Sequence, residues 1–430
     1  MKLRIINGRL LDAANQQDRL ATITIASGRI VGIDSSDDFQ ADLEIDAKGL
    51  ALVPGLVDLS VRLREPGNEH RATLESEMVA ALAGGVTSLV LPPDTEPSLD
   101  EPGLVEMLKH RARQLHQANL YPLGAMTLGL KGQALTEMAE LTEAGCVAFS
   151  QANQSMPDLS ILNRAMLYAK TFDYTLWLQP SEPSLSSGGV AASGAFASRL
   201  GLSGVPVQAE TIALHALFEL QRSNQVRLHL CRLSSAEGIE LVRQAKARGL
   251  PVTCDVSINH LHLIDQDIGF FDSNYNLTPP LRSQRDREAI TQGLLDGTID
   301  AICSDHTPVD DDEKLMPFAQ AGVGAVGVEL LFSLVYKWAL DNKVPLLDAL
   351  AKITLNPYRI LKAGAPALPP CGQLGVGAPA DIAMIDLDDY WQVSRQNLLS
   401  QSAHTPFNAY EVPGRVKKTL VGGRLVWEQE

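Results

Sequence analysis

Arg62, Arg64 and Arg232 bring three guanidinium groups to a set of polar residues that also holds Asp58, Ser60, Asp94, Gln151, Gln179, Asn259, His260, Asp305 and His306. A zinc site draws on imidazole nitrogen, carboxylate oxygen or thiolate sulfur. This set offers few such donors and adds positive charge. Guanidinium forks suit carboxylates, so the chemistry on offer is ion pairing or capture of an anion, with Asp305 expected to bridge to Arg62 or Arg232.

These residues become neighbours only if one architecture collects them. Eight short apolar runs read as strands: 56–61, 87–91, 119–125, 146–150, 175–179, 226–231, 252–257 and 299–304. Helical stretches alternate with them at 73–83, 101–114, 133–143, 158–171, 208–220, 236–248 and 285–295, and Gly84-Gly85 stops the first. The count predicts an α/β fold, a closed (β/α)8 TIM barrel, in which chemistry gathers at the C-terminal ends of the strands. Each polar residue above lies within the later part of one of those runs or just after it. The segment 184–194, SLSSGGVAASG, reads as a flexible surface loop beside the barrel mouth.

Both ends of the chain change pattern. Short β runs turn at Asn7-Gly8 and Ser27-Gly28, and a terminal hairpin turns at Gly422-Gly423. Residues 1–53 and 365–430 are therefore expected to build one composite β-rich domain, with 54–364 as the barrel. Trp391, Phe407, Tyr410 and Trp427 are expected in its core or at the junction rather than at a partner surface.

The 430 residues carry 51 acidic and 36 basic groups, a formal charge of −15, which disfavours general attraction to nucleic acid or an anionic membrane. The N-terminus MKLRIINGRLLD lacks a long apolar run, so a cytoplasmic location is expected. Five scattered cysteines without a CxxC pair make neither a disulfide scaffold nor a thiolate zinc site.

An ordered series of motifs spans nearly the whole chain: VPGLVDLSVRLREPG at 53–67, LPPDTEP at 91–97, GCVAFS at 145–150, LHLCRLSS at 228–235, TPPLRS at 278–283, SDHTP at 304–308 and GQLGVGAPADI at 372–382. The series resembles class I dihydroorotases within the cyclic amidohydrolases. Such enzymes interconvert carbamoyl aspartate and dihydroorotate with zinc-bound hydroxide and an aspartate that moves the proton. The resemblance places the expected metal histidines on Ser60 and Arg62, the acidic ligand on Gln151, and two further histidines on Gln179 and Arg232. Only Asp305 is kept. A divalent ion about 4 Å from one guanidinium meets a repulsion of roughly 8 kcal/mol at an effective dielectric near 20. Zinc is therefore expected to be absent, no catalytic residue is assigned beyond a vestigial Asp305, and the chain is expected not to be an enzyme.

The resemblance also assigns an anion-binding set. Arg64 matches the arginine that holds the substrate carboxylate, with a structural ion pair as its equal alternative. Asp94 and Thr278 stand where substrate-binding asparagines are expected, and Asn259 replaces one histidine of a pair, while His260, His306 and the backbone amides at Ala321, Gly322 and Gly324 remain as donors. The implied role is that of a non-catalytic subunit stabilising aspartate transcarbamoylase in pyrimidine biosynthesis, in a hetero-oligomer of six copies of each chain; a homodimer is a further option. Two rivals stand beside it: a sensor of an anionic pyrimidine precursor, and a metal-independent amidohydrolase using Asp305, His306, His260 and the arginines.

Overall fold

The computed structural model describes residues 2–35 and 39–429. Eight parallel strand positions ring the barrel: Leu56–Asp58, Val86–Leu91, Asn119–Pro122 continued by Gly124–Ala125, Phe149–Ser150, Thr175–Leu178, Arg227–Leu230, Val252–Ser257 and Ala301–Cys303. The third is split at Leu123. Its first piece pairs with the second strand and its second piece with the fourth. A bridge between Val61 and His306 joins the eighth strand to the first.

The strands are short and buried on both faces, which is why they read as unbroken apolar runs rather than as alternation. Val57, Val90, Trp177, Ala301 and Cys303 fill the interior. Helices Leu74–Ala83 and Ala236–Ala247 start on side-chain caps from Thr73 and Ser235, each satisfying an otherwise orphaned backbone N–H, and at the start of Gln284–Leu295 Asp286 accepts the Ser283 backbone N–H. Gly55 enters the first strand because a β-carbon there would lie 2.1 Å from Thr87 Oγ1.

Strands from both ends of the chain share one eight-stranded sheet. Lys2–Asp12 lies between Gln17–Ala26 and Ala51–Pro54, and Ala51–Pro54 pairs in turn with Ile382–Gln392. The hairpins at Ser27-Gly28 and Gly422-Gly423 form. The expected turn at Asn7-Gly8 does not: the chain runs on as a single strand with a bulge between Ile5 and Gly8. Gly8 serves close packing there, since a β-carbon would meet Leu52 at 2.5 Å.

Segment 184–194 is also more ordered in form than a flexible loop. It contains the short helix Pro183–Ser186, capped by Glu182, and Ala191–Ala192, which pairs in parallel with Gly204–Val205. Ala191 and Ala197 pack on Ile268 and Phe318, contacts that their small side chains permit. Phe407 is fully buried, Tyr410 meets its ring edge-on, and the Trp391 indole donates to Gly414 O at 3.3 Å. All five cysteines are free thiols. Among the described residues no helix is long and apolar enough to cross a membrane.

Candidate functional site

The C-terminal ends of the strands deliver a closed set of charges. Arg62, one residue past the isolated pairing at Val61, sends Nε to Asp94 Oδ2 at 2.8 Å, Nη1 to Thr307 Oγ1 at 3.2 Å and Nη2 to Asn153 Oδ1 at 3.1 Å. Arg232 reaches the same point from the sixth strand. Its Nη1 donates to Asp305 Oδ1 at 2.8 Å, and its Nη2 to Gln179 Oε1 at 3.1 Å and to Asn153 Oδ1. Arg62 Nη1 also lies 3.5 Å from Asp305 Oδ1. All three ends of this bridge are nearly excluded from solvent, so screening is weak and each charge depends on its partners.

Backbone geometry aims these side chains. Arg64, Arg232 and Asp305 each adopt a left-handed conformation, at φ 61°, 54° and 53°. Such angles are costly for residues with a β-carbon and persist only where surrounding contacts over-determine them. Asp255 supplies one such contact, accepting the Arg232 backbone N–H on Oδ1 at 2.6 Å. Its other oxygen meets His229 Nε2 at 2.9 Å, while His229 Nδ1 meets Thr253 Oγ1. His229, Cys231 and Asp255 offer atoms within 4.8 Å of one another that could ligate a metal. Both ring nitrogens of His229 and both carboxylate oxygens of Asp255 are already hydrogen-bonded, and burial pushes the Cys231 thiol well up. The cluster acts as a shelf under Arg232.

Burial alone would raise the Asp94 carboxyl, but Arg62, then Arg64 and Arg232, outweigh it and hold Asp94 below its usual range. Burial opposes charge on Arg232 too, and Asp305 more than restores it. Arg64 is the exception. Its Nε donates to the carbonyl of Pro308 at 2.8 Å and among the described residues it has no salt bridge, so burial, and after it the neighbouring Arg62, lower it to about 10. Three guanidiniums face the carboxylates of Asp94 and Asp305 at the mouth, with Asp255 beneath Arg232, and Arg64 is the one of the three without a salt bridge among the described residues.

The remaining residues divide. Ser60 Oγ stands 3.5 Å from Asp305 Oδ1, at the edge of the network. Gln151 turns away, bonding Thr127 Oγ1 and Leu130 O, so it does not join Gln179 beside the arginines. His306 also leaves the anion-binding set. Its Nε2 lies 2.7 Å from Glu77 Oε2 and its Nδ1 accepts from Gly327 and Val328, which fixes the ring away from any ligand. His260 is held neutral, its pKa lowered by burial to about 4, with Nε2 near Pro280 O and Nδ1 unpaired. Asn259 bonds Ser257, and the Thr278 side chain has no hydrogen bond among the described residues. The amides of Ala321, Gly322 and Gly324 are committed to Pro317, Glu313 and Asn276 carbonyls, which removes them as anion donors.

Asn153, on which both arginines converge, is the functional residue that sequence reasoning missed. Its only signal is a position two residues beyond Gln151 in the loop after the fourth strand. Thr307 was missed for a similar reason, since a hydroxyl beside Asp305 looks like any loop threonine.

A two-metal centre does not fit these residues. Arg62 and Arg232 have no lone pair to give, Gln179 already accepts from Arg232, and Asp305 is spent on two guanidiniums. Arg232 Nε is a buried donor without a partner among the described residues, and an approaching cation would meet its like charge.

With this geometry in hand, the comparisons define the class first. The L-hydantoinase (dihydropyrimidinase) of Arthrobacter aurescens superposes with a TM-score of 0.88 at 23% identity, over 99% of this chain and 96% of that one, which establishes an amidohydrolase-type barrel with a β-rich terminal sheet. Family models described as dihydro-orotase-like and as the amidohydrolase family match residues 49–238 and 209–426. A "Dihydroorotase-like protein" of Pseudomonas aeruginosa is 41% identical over the full length of both chains, and a "Dihydroorotase" of Syntrophotalea carbinolica is 37% identical over 99% of each. The chain belongs to the dihydroorotase-like branch of the amidohydrolase family. The expectation that it is not an enzyme is corrected by these relatives: proteins named as dihydroorotases share its whole length, so loss of metal donors marks a difference in site chemistry within a family of enzymes and does not remove the chain from it.

Proposed function

We propose that this dihydroorotase-like chain works in pyrimidine biosynthesis by binding and stabilising aspartate transcarbamoylase, in a mixed assembly of six copies of each chain. One observation carries the reading: the family fold is complete, while the centre of its mouth is closed by the chain's own ion pairs. The Arg62–Asp305–Arg232 bridge occupies positions that the family gives to metal ligands. The transcarbamoylase itself enters from the motif resemblance, whose members assemble with that enzyme. Absence of zinc is part of the same proposal, because a divalent ion would have to displace two buried guanidiniums.

Coexpression of the chain with the transcarbamoylase of its own organism, followed by light scattering, tests the reading. A stable complex whose mass requires both chains is expected. Separate elution, with transcarbamoylase activity unchanged when the chain is removed, would defeat it. The same preparations are assayed for turnover of carbamoyl aspartate and dihydroorotate, because the relatives include named enzymes.

A second reading has its own support. Among the described residues the Arg64 guanidinium has no salt bridge, and this favours binding of an anionic pyrimidine precursor at the mouth.

A further inference from the structure

The loops after the seventh and eighth barrel strands expose an apolar face that folding leaves uncovered. Phe270 is 90% exposed and Leu315 83%, with Phe271 and Met316 also open to solvent. The two phenyl rings meet edge to face, their centroids 5.2 Å apart. Single exposed apolar residues need no explanation; two adjoining exposed pairs on fixed loops do.

The two loops are clipped together. Lys314 Nζ donates to Ser273 O at 2.9 Å, and Ser273 Oγ donates back to Lys314 O at 2.6 Å. This reciprocal pair joins the segment that carries Phe270–Phe271 to the one that carries Leu315–Met316. Beneath them Ile268 and Phe318 join Ala191 and Ala197 in a small buried cluster, so the face rests on packed structure. Its geometry is established before any partner arrives, which reduces the ordering cost of association.

The surrounding charge says what can cover it. Asp267 and Asp272 flank the phenylalanines, and Asp310, Asp311, Asp312 and Glu313 precede Leu315. Asp311 is spent on Arg395 and His404, and Glu313 on Arg71. Among the described residues, Asp267, Asp272, Asp310 and Asp312 form no salt bridge, although the buried Lys314 ammonium lies near enough to Asp272 to feel its charge. A second copy placed face to face would set these carboxylates against their own images, on a chain already carrying −15. An anionic lipid surface meets the same repulsion. The complementary occupant is a different protein with an apolar centre and a rim of Lys and Arg.

We propose that the face formed by Phe270, Phe271, Leu315 and Met316 is where a partner protein of that chemistry docks. The inference rests on the reading of the chain as a subunit of a mixed complex, so aspartate transcarbamoylase of the same organism is the probe. Full-length chain, the double variant Phe270→Ser/Leu315→Ser and the variant Asp312→Lys are titrated with it by sedimentation velocity at two salt concentrations, after circular dichroism has shown each to be folded. The double variant is expected to bind at least about tenfold more weakly; Asp312→Lys should bind about threefold more weakly and with less response to salt. Wild-type binding that the double variant retains in full would overturn the face and leave the subunit reading standing. No binding by wild type would overturn the subunit reading and the face with it. Self-association of wild type that the double variant abolishes would make the occupant a second copy, and also overturn the proposal.

Discussion

Arg62 and Arg232 share two acceptors: both reach Asp305 Oδ1, at 3.5 and 2.8 Å, and both donate to Asn153 Oδ1. Two like charges are thereby held together at the centre of the barrel mouth. Removing the bridging anion should cost more than removing any one neutral contact. Asp305→Ala is expected to lower stability by about 3–5 kcal/mol, the range for stranding buried charge. Asp305→Asn should cost less because it keeps an acceptor. Urea unfolding of both variants measures this, and equal stability for Asp305→Ala and wild type would show that the bridge is not structural.

The misfit to metal predicts zinc content below about 0.1 per chain after gentle purification, since the usual site supplies three or four ligands. Elemental analysis checks it, with a chelator expected to leave the melting temperature unchanged. Arg62→His alone should not restore binding, because Arg232 still opposes a cation. Near-stoichiometric zinc in wild type would contradict the electrostatic reading of the mouth.

Arg64 should dominate any anion binding at the mouth. Calorimetry with dihydroorotate, orotate and carbamoyl aspartate is expected to show heats that Arg64→Ala removes. Silence at millimolar ligand for wild type would leave the uncompensated charge to solvent ions.

Glu329 predicts a pH dependence away from the mouth. Burial raises its carboxyl to about 8, against the pull of the Leu399 and Ser400 amides, and Glu77 adds to the rise. The native state therefore holds a proton between about pH 4.5 and 8 that the unfolded chain has lost, and stability falls as pH rises through that window. Burial holds His260 and His262 near 4, so the stability they contribute rises with pH up to about 6.5 and levels off about a unit above it, a smaller change in the opposite sense. Melting temperature is expected to drop from pH 6.5 to 8, and Glu329→Gln should flatten the slope. An unchanged slope in that variant would assign the effect elsewhere.

Gly55 offers a packing test away from the charges of the barrel mouth. A methyl group there would press into Thr87, at 2.1 Å from its hydroxyl oxygen, on two elements that cannot separate without opening the first barrel strand. Gly55→Ala is expected to lose about 1–3 kcal/mol in denaturant unfolding.

Local pattern carried far for the barrel. The strand Val252–Ser257 and the helix Ala236–Ala247 fall almost where apolar runs and helical spacing put them, because both are set by neighbours a few residues away. Asn7-Gly8 misled because its glycine answers to Leu52, more than forty residues on. Segment 184–194 misled because its small residues, poor in local signal, are fixed by pairing with Gly204–Val205.

By itself the sequence determined the residue types at the mouth, and with them the shortage of metal donors and the surplus of guanidinium charge. Tertiary structure alone decided their partners. It put Arg62 and Arg232 on one carboxylate, turned Gln151 to Thr127 and His306 to Glu77, and brought in Asn153. The reason is distance: Asp305 lies 73 residues from Arg232 and about 240 from Arg62, and only closure of the barrel brings their charges within bonding range, where Coulomb energy and lost hydration become large enough to fix each side chain.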